Sequence, residues 1–93
     1  MKIFKIFKLE EYTSFLKDKK FKGNEHDQRD GFIHLCTQDQ LETVVNKYYK
    51  NIEHKIVEIN PDIYKEMKWE KASDLKLYPH LYRELNIQDT LIE

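Results

Sequence analysis

The sequence is short of the residues that punctuate a chain. It has two glycines, two prolines and one cysteine among 93 residues. The lone Cys36 excludes an internal disulfide framework or a cysteine-based zinc cluster, and it suits a reducing cytoplasm. With glycine only at Gly23 and Gly31, neither the phosphate-loop nor the dinucleotide fingerprint is present. No apolar run approaches the ~18 residues of a membrane-spanning helix. The opening MKIFKIFKLEEY has neither the long apolar stretch nor the small-residue cleavage site of a signal peptide. Neither sign of charge dominates: 16 Lys and Arg face 17 Asp and Glu, for a formal net charge of −1. That balance gives no strong nucleic-acid signal and no acidic disordered tail. Histidines and carboxylates do not recur at ligand spacing, so no metal site is indicated. The expectation is one cytoplasmic domain, residues 1–93, with no membrane partner.

Aromatic residues, by contrast, are plentiful: six Tyr, five Phe and one Trp. A chain of this length buries roughly 60–65% of its unfolded surface, enough for one modest core. Ile3 to Phe7 reads as a first strand, rich in β-branched and aromatic residues. Leu9, Tyr12, Phe15 and Leu16 then follow helical spacing. Gly23 to Asp30 is polar, contains Gly-Asn, and reads as an exposed loop. Phe32 to Cys36 reads as a second strand. Thr37 with Gln40 three residues on is a capping-box signature, and the apolar spacing predicts a helix over Gln38 to Lys50. Ile56 to Ile59 is a third strand. Asn60-Pro61 starts a short helix through Met67. Lys68 to Glu70, Tyr78 to Leu85 and Thr90 to Ile92 read as extended. Connections of a few residues cannot all be parallel crossovers. The predicted class is therefore α+β: a mixed, largely antiparallel sheet with two or three helices packed on it.

His34 is the unusual residue in the second strand. Alternation puts Phe32, His34 and Cys36 on one face, away from Ile33 and Leu35, which points His34 at a pocket. The plain alternative is a buried imidazole bonded to backbone. In Pro79-His80-Leu81-Tyr82 the same alternation pairs His80 with Tyr82, which offer a donor or acceptor and a stacking ring. Trp69 and Glu70 are a core residue and a salt-bridge partner in the bland reading. In the functional reading they are a stacking surface and a carboxylate that positions a ribose hydroxyl or stabilises a developing cation. Arg29 can grip phosphate by its planar fork and Asp30 can bond a loop, or both are turn residues. Thr37 stands at a helix N-terminus, where free amides are available to an anion. Cys36 has no base beside it and reads as a small core residue.

Taken together, D-x-x-DGFIHL-x-T-x-x-QL (Asp27, Asp30 to Leu35, Thr37, Gln40, Leu41), K-W-E at Lys68 to Glu70 and P-H-L-Y at Pro79 to Tyr82 resemble a small bacterial family, domain of unknown function 952. One departure is Cys36, where the family usually has serine. The resemblance implies a relation by fold to the ADP-ribosyltransferase group, which includes RNA 2′-phosphotransferases. It implies that His34 holds NAD near its nicotinamide ribose, with Glu70 and His80 in later catalytic roles. Arg29, Asp30, Thr37, Trp69 and Tyr82 are then the candidates for binding the nucleotide. The expected function is an enzyme acting on NAD, ADP-ribose or 2′-phosphate compounds, with NAD as substrate. The alternative is a non-catalytic module that binds a nucleotide or a protein. Whether Glu70 shares a cleft with His34 discriminates between them.

Overall fold

The structure, a computed structural model, describes residues 1–93. β1 (Ile3–Lys8) is the centre of its first sheet. One edge pairs antiparallel with β5 (His54–Glu58), from Phe4 opposite Glu58 to Lys8 opposite His54. The other takes β4 (Cys36–Thr37). A second sheet has β7 (Leu77–Leu81) between β3 (Ile33–His34) and β6 (Lys68–Lys71). A two-stranded ladder joins β2 (Lys20–Phe21) to β8 (Leu85–Asn86). All pairings are antiparallel, as the short connections require. The class is α+β, with the strands shared among three small sheets.

The helix α1 (Leu9–Asp18) begins with Glu10 and Glu11 against its positive end, and Glu11 Oε1 accepts a hydrogen bond from the Lys8 amide at 2.9 Å. It lays Phe15 on Phe7, ring centroids 5.1 Å apart, and Phe21 meets Phe7 edge-on at 5.0 Å. Ile3, Ile33, Ile59, Leu81 and Leu85 are among the residues that extend the buried core around these rings. Arg83 ties the C-terminal segment down. Its Nε and Nη2 meet both Glu66 carboxylate oxygens at 2.9 and 3.2 Å, and its Nη1 donates to Asp89 Oδ2 at 2.7 Å.

Six segments differ from the sequence expectation. The expected loop from Gly23 to Asp30 contains α2 (Glu25–Asp30). Asn24 caps it: its Oδ1 accepts the Asp27 amide at 2.9 Å, and Asp27 Oδ2 accepts the Asn24 amide at 3.0 Å. Gly31 ends it in the left-handed conformation (φ 85°), donating its amide to the Asp27 carbonyl. The expected strand from Phe32 to Cys36 is two strands, because Ile33 and His34 pair with β7 whereas Cys36 and Thr37 pair with β1. The helix predicted over Gln38 to Lys50 changes its hydrogen bonding twice: a 3₁₀ turn at Gln38–Gln40, α3 (Leu41–Val44), then a π turn at Val45–Tyr49. At its start Gln40 Oε1 accepts the Thr37 amide at 3.0 Å. The expected strand over Tyr78 to Leu85 stops at Leu81, and Thr90 makes one isolated bridge, to Ile59. The short Asn60-Pro61 helix is a 3₁₀ turn over Pro61–Glu66, with Asn60 Oδ1 accepting the Asp62 amide.

Gly23 is fixed by two constraints at once. Its φ is +108°, and a Cβ there would stand 2.8 Å from the Asp27 Cβ. At Gly31 a Cβ would meet nothing within 4 Å, so only the backbone penalty applies. Gly31→Ala is expected to cost about 1–2 kcal/mol. Gly23→Ala is expected to cost more, because it also displaces Asp27. Urea unfolding of the two variants checks the order.

Candidate functional site

Lys5 lies on the strand face that also carries Ile3 and Phe7, so its ammonium is carried inward with them. It is 2% exposed and meets Asp27, also 2% exposed, at 3.2 Å between Nζ and Oδ2. The Lys5 ammonium also donates to the His34 carbonyl at 3.1 Å. Asp27 spends its other oxygen on His34: Oδ1 accepts the His34 amide at 3.1 Å and faces Nδ1 of the ring at 2.6 Å. Burial alone raises the Asp27 pKa. The His34 ring, the Lys5 charge and the backbone amides of Asn24 and His34 outweigh it and hold the carboxyl at about 2.

An ionised carboxylate only accepts, so His34 Nδ1 carries a proton towards Asp27. On the other side of the ring, Nε2 stands 2.9 Å from Asp30 Oδ2. Both contacts are hydrogen bonds together only in the doubly protonated ring. His26 joins from α2, its ring centroid 4.3 Å from that of His34 and its Nε2 3.4 Å from Asp30 Oδ2. One donor atom from each of His26, Asp30 and His34 lies within 4.8 Å of the other two. Arg29, 67% exposed, directs Nη2 to His26 Nδ1 at 2.7 Å. Burial, the His34 ring and Arg29 lower the proton affinity of His26 against the pull of Asp30 and Asp27.

Across the β3–β7 ladder His34 is directly opposite His80, with ring centroids 5.6 Å apart. His80 is buried, stacks on Phe32 at 3.9 Å, and puts Nδ1 2.8 Å from Glu70 Oε1. The same Glu70 oxygen accepts the Tyr82 hydroxyl at 2.6 Å. These two bonds, Tyr82 first, lower the Glu70 pKa, and the bond to Glu70 raises that of Tyr82. His80 is thus held with Nδ1 protonated and Nε2 free to accept.

A cleft of about 770 Å³ opens beside the two histidines, lined among others by Lys5, Asp27, Arg29, His34, Tyr49 and His80. Glu70 does not line it; its half-exposed side chain reaches the cleft only through His80. Tyr82 stays with Glu70 outside the cleft, under the Lys68 ammonium at 4.8 Å. Trp69 pairs with Pro79, alternates away from Glu70 and is 38% exposed, clear of the cleft. Thr37 is buried in β4, with its amide spent on Gln40. Asp30 does not line the cleft but is bonded to His34, which does. Of the residues singled out in the sequence, His34, His80, Arg29 and Asp30 come together here. Three other neighbours of His34 had no role there: Lys5 sat in a strand read as apolar, and His26 and Asp27 in a segment read as a loop. Asn24-x-x-Asp27 is itself a capping signature and was the signal for α2.

Residues 6–91 match the family described as "Protein of unknown function (DUF952)". The chain belongs to this family. Its fold is shared with protein CC0527 from Caulobacter crescentus. The crystal structure superposes with a TM-score of 0.88 at 26% identity, over 99% of this chain and 82% of that one. The solution NMR structure of CC0527 gives 0.83 at 26% identity, over 98% and 80%. No curated protein matches the sequence. Within this DUF952 chain, Cys36 is buried, and burial pushes its thiol up to about 12 against the opposing charge of Lys5.

Two outcomes follow from the buried pair. Asp27→Asn leaves Lys5 buried without its counter-charge and is expected to cost about 3–5 kcal/mol at neutral pH. The folded Asp27 pKa, about 2, lies below its ordinary 3.8, so its ionisation stabilises the fold above pH 3.8. That stabilisation is lost as pH falls from 3.8 towards 2. The gap between wild type and Asp27→Asn should therefore narrow over that window, as followed by denaturant unfolding at each pH. The folded protein should also react with a thiol reagent at Cys36 only as fast as it opens, and unfolding in urea should release the reaction.

Proposed function

We propose that the cleft binds a small phosphate-bearing nucleotide of the NAD or ADP-ribose type, and that His34 holds its ribose. The observation that carries this reading is the Asp27–His34 pair facing His80 on the wall of one cleft. A volume of about 770 Å³ falls in the range of small-molecule sites. Arg29 at the mouth offers a fork for phosphate, and Tyr48, Tyr49 and Tyr78 along the lining offer ring surfaces. This agrees with the relation to the ADP-ribosyltransferase group that the motifs imply. It also agrees with a cytoplasmic location, where such nucleotides are abundant and a free Cys36 stays reduced.

Catalysis on such a ligand means breaking the nicotinamide–ribose bond through an oxocarbenium-like ribose, which needs a negative group beside it. Asp30 reaches the cleft only through His34 and Glu70 only through His80, so neither carboxylate lines it. The position of Glu70 outside the cleft favours the second reading, a nucleotide-binding module without chemistry.

Calorimetric titration with NAD and ADP-ribose tests the site. His34→Ala is expected to weaken binding at least about tenfold, the worth of one hydrogen bond involving a charged group, while far-UV circular dichroism stays unchanged. Equal affinities for wild type and variant would reject His34 as the ribose contact. Release of nicotinamide from NAD by the wild type decides for the enzyme. Saturable binding without release decides for the module.

A further inference from the structure

We propose that His26, Asp30 and His34 form a site for a divalent first-row transition-metal ion, such as zinc(II) or cobalt(II), at the mouth of the cleft. The inference does not rest on the nucleotide reading. Two imidazoles and one carboxylate are a donor set suited to such ions rather than to magnesium or calcium, which take oxygen ligands.

The geometry is the first argument. An ion with bonds of about 2.1 Å sets its donors about 3.0 Å apart along an octahedral edge and about 3.4 Å apart along a tetrahedral one. His34 Nε2 and Asp30 Oδ2 are 2.9 Å apart, and His26 Nε2 and Asp30 Oδ2 are 3.4 Å apart. The fold reaches this spacing because His26 and Asp30 are one turn apart on α2, and Gly31 turns the chain so that His34 comes back beside them.

The second argument is the support behind one ligand. Asp27 Oδ1 fixes Nδ1 of His34 at 2.6 Å, so the Nε2 side of the ring is aimed at Asp30 and His26. A carboxylate on the far nitrogen is how metal-ligating histidines are oriented and made more basic. Asp27 is itself fixed by Lys5 and the Asn24 amide, so this support is rigid. Three protein donors on one side leave the remaining coordination positions open to water or a ligand.

Arg29 is the counterweight. A guanidinium only donates, so the contact at 2.7 Å requires His26 Nδ1 to accept, which leaves the proton on Nε2. Binding an ion at His26 Nε2 moves that proton to Nδ1 through solvent and turns the largely exposed Arg29 away; at His34, where Nδ1 keeps its proton towards Asp27, a proton on Nε2 is released to solvent.

The test uses the metal alone. Cobalt(II) and zinc(II) are titrated into the metal-stripped full chain, followed by visible cobalt absorption and by calorimetry. One ion per chain is expected. His26→Ala and Asp30→Ala are each expected to weaken it at least about tenfold. Both are surface side chains, and circular dichroism checks that the variants fold. His54→Ala, on β5 with Nδ1 against the Ile52 carbonyl, should leave binding unchanged. Arg29→Ala should bind as tightly as wild type or more tightly. Absence of saturable binding, full affinity in His26→Ala, or weakening in Arg29→Ala would overturn the site. A parallel NAD titration in chelator separates the two proposals. Nucleotide bound without any metal site defeats only this inference, and metal bound without nucleotide defeats only the nucleotide reading.

Discussion

The buried ion pair between Lys5 and Asp27 is the constraint on which the site depends. A charged pair that is 2% exposed on each side persists only where both partners are further hydrogen-bonded. Here the ammonium has the His34 carbonyl, and the carboxylate has two amides and an imidazole. No buried side-chain nitrogen or oxygen is left without a partner. The pair therefore fixes three elements together: β1 through Lys5, α2 through Asp27, and β3 through His34. A hydrophobic pair could fill the same volume, but it could not dictate which ring nitrogen of His34 is protonated.

The two histidines are governed in different ways. His34 is flanked by carboxylates on both nitrogens and is partly open to the cleft. His80 is buried, stacked on Phe32, and oriented by one oxygen of an outlying glutamate. Their adjacency follows from strand register alone, because positions 34 and 80 are direct partners in an antiparallel ladder. The cleft is thus asymmetric, with one ring held between two carboxylates and the other held by one.

Much of this was legible in the residues. β1, α1, the Asn60-Pro61 turn and β6 follow from periodicity and capping, since their neighbours in sequence decide their structure. His34 and His80 stood out because histidine interrupts an otherwise apolar strand. Lys5 was invisible for the complementary reason: a lysine in IFKIFK reads as the solvent side of an alternating strand, and only its distant partner makes burial possible. α2 was missed because six polar residues carry no apolar stripe; what holds it is a cap at each end and one inward carboxylate. Glu70 was judged by its charge, whereas its place is set by strand parity and by which histidine it faces. Spacing could not reveal the grouping of His26 with His34, because a glycine-ended helix folds the chain back between them.

The change of sheet at Leu35 has a mechanical consequence. His34 belongs to the sheet of β7 and Cys36 to that of β1, so a seam runs through the wall of the cleft. Few bonds cross it near the histidine: the Leu35 amide to the Pro79 carbonyl, and the Lys5 ammonium to Asp27 and the His34 carbonyl. Parting along this line would break these bonds, the buried Lys5–Asp27 pair among them, while the hydrogen bonds within both ladders stayed paired. Deuterium uptake at the His34 and Leu35 amides would then register the breathing of the cleft, and uptake along the β1–β5 ladder the loss of the whole fold.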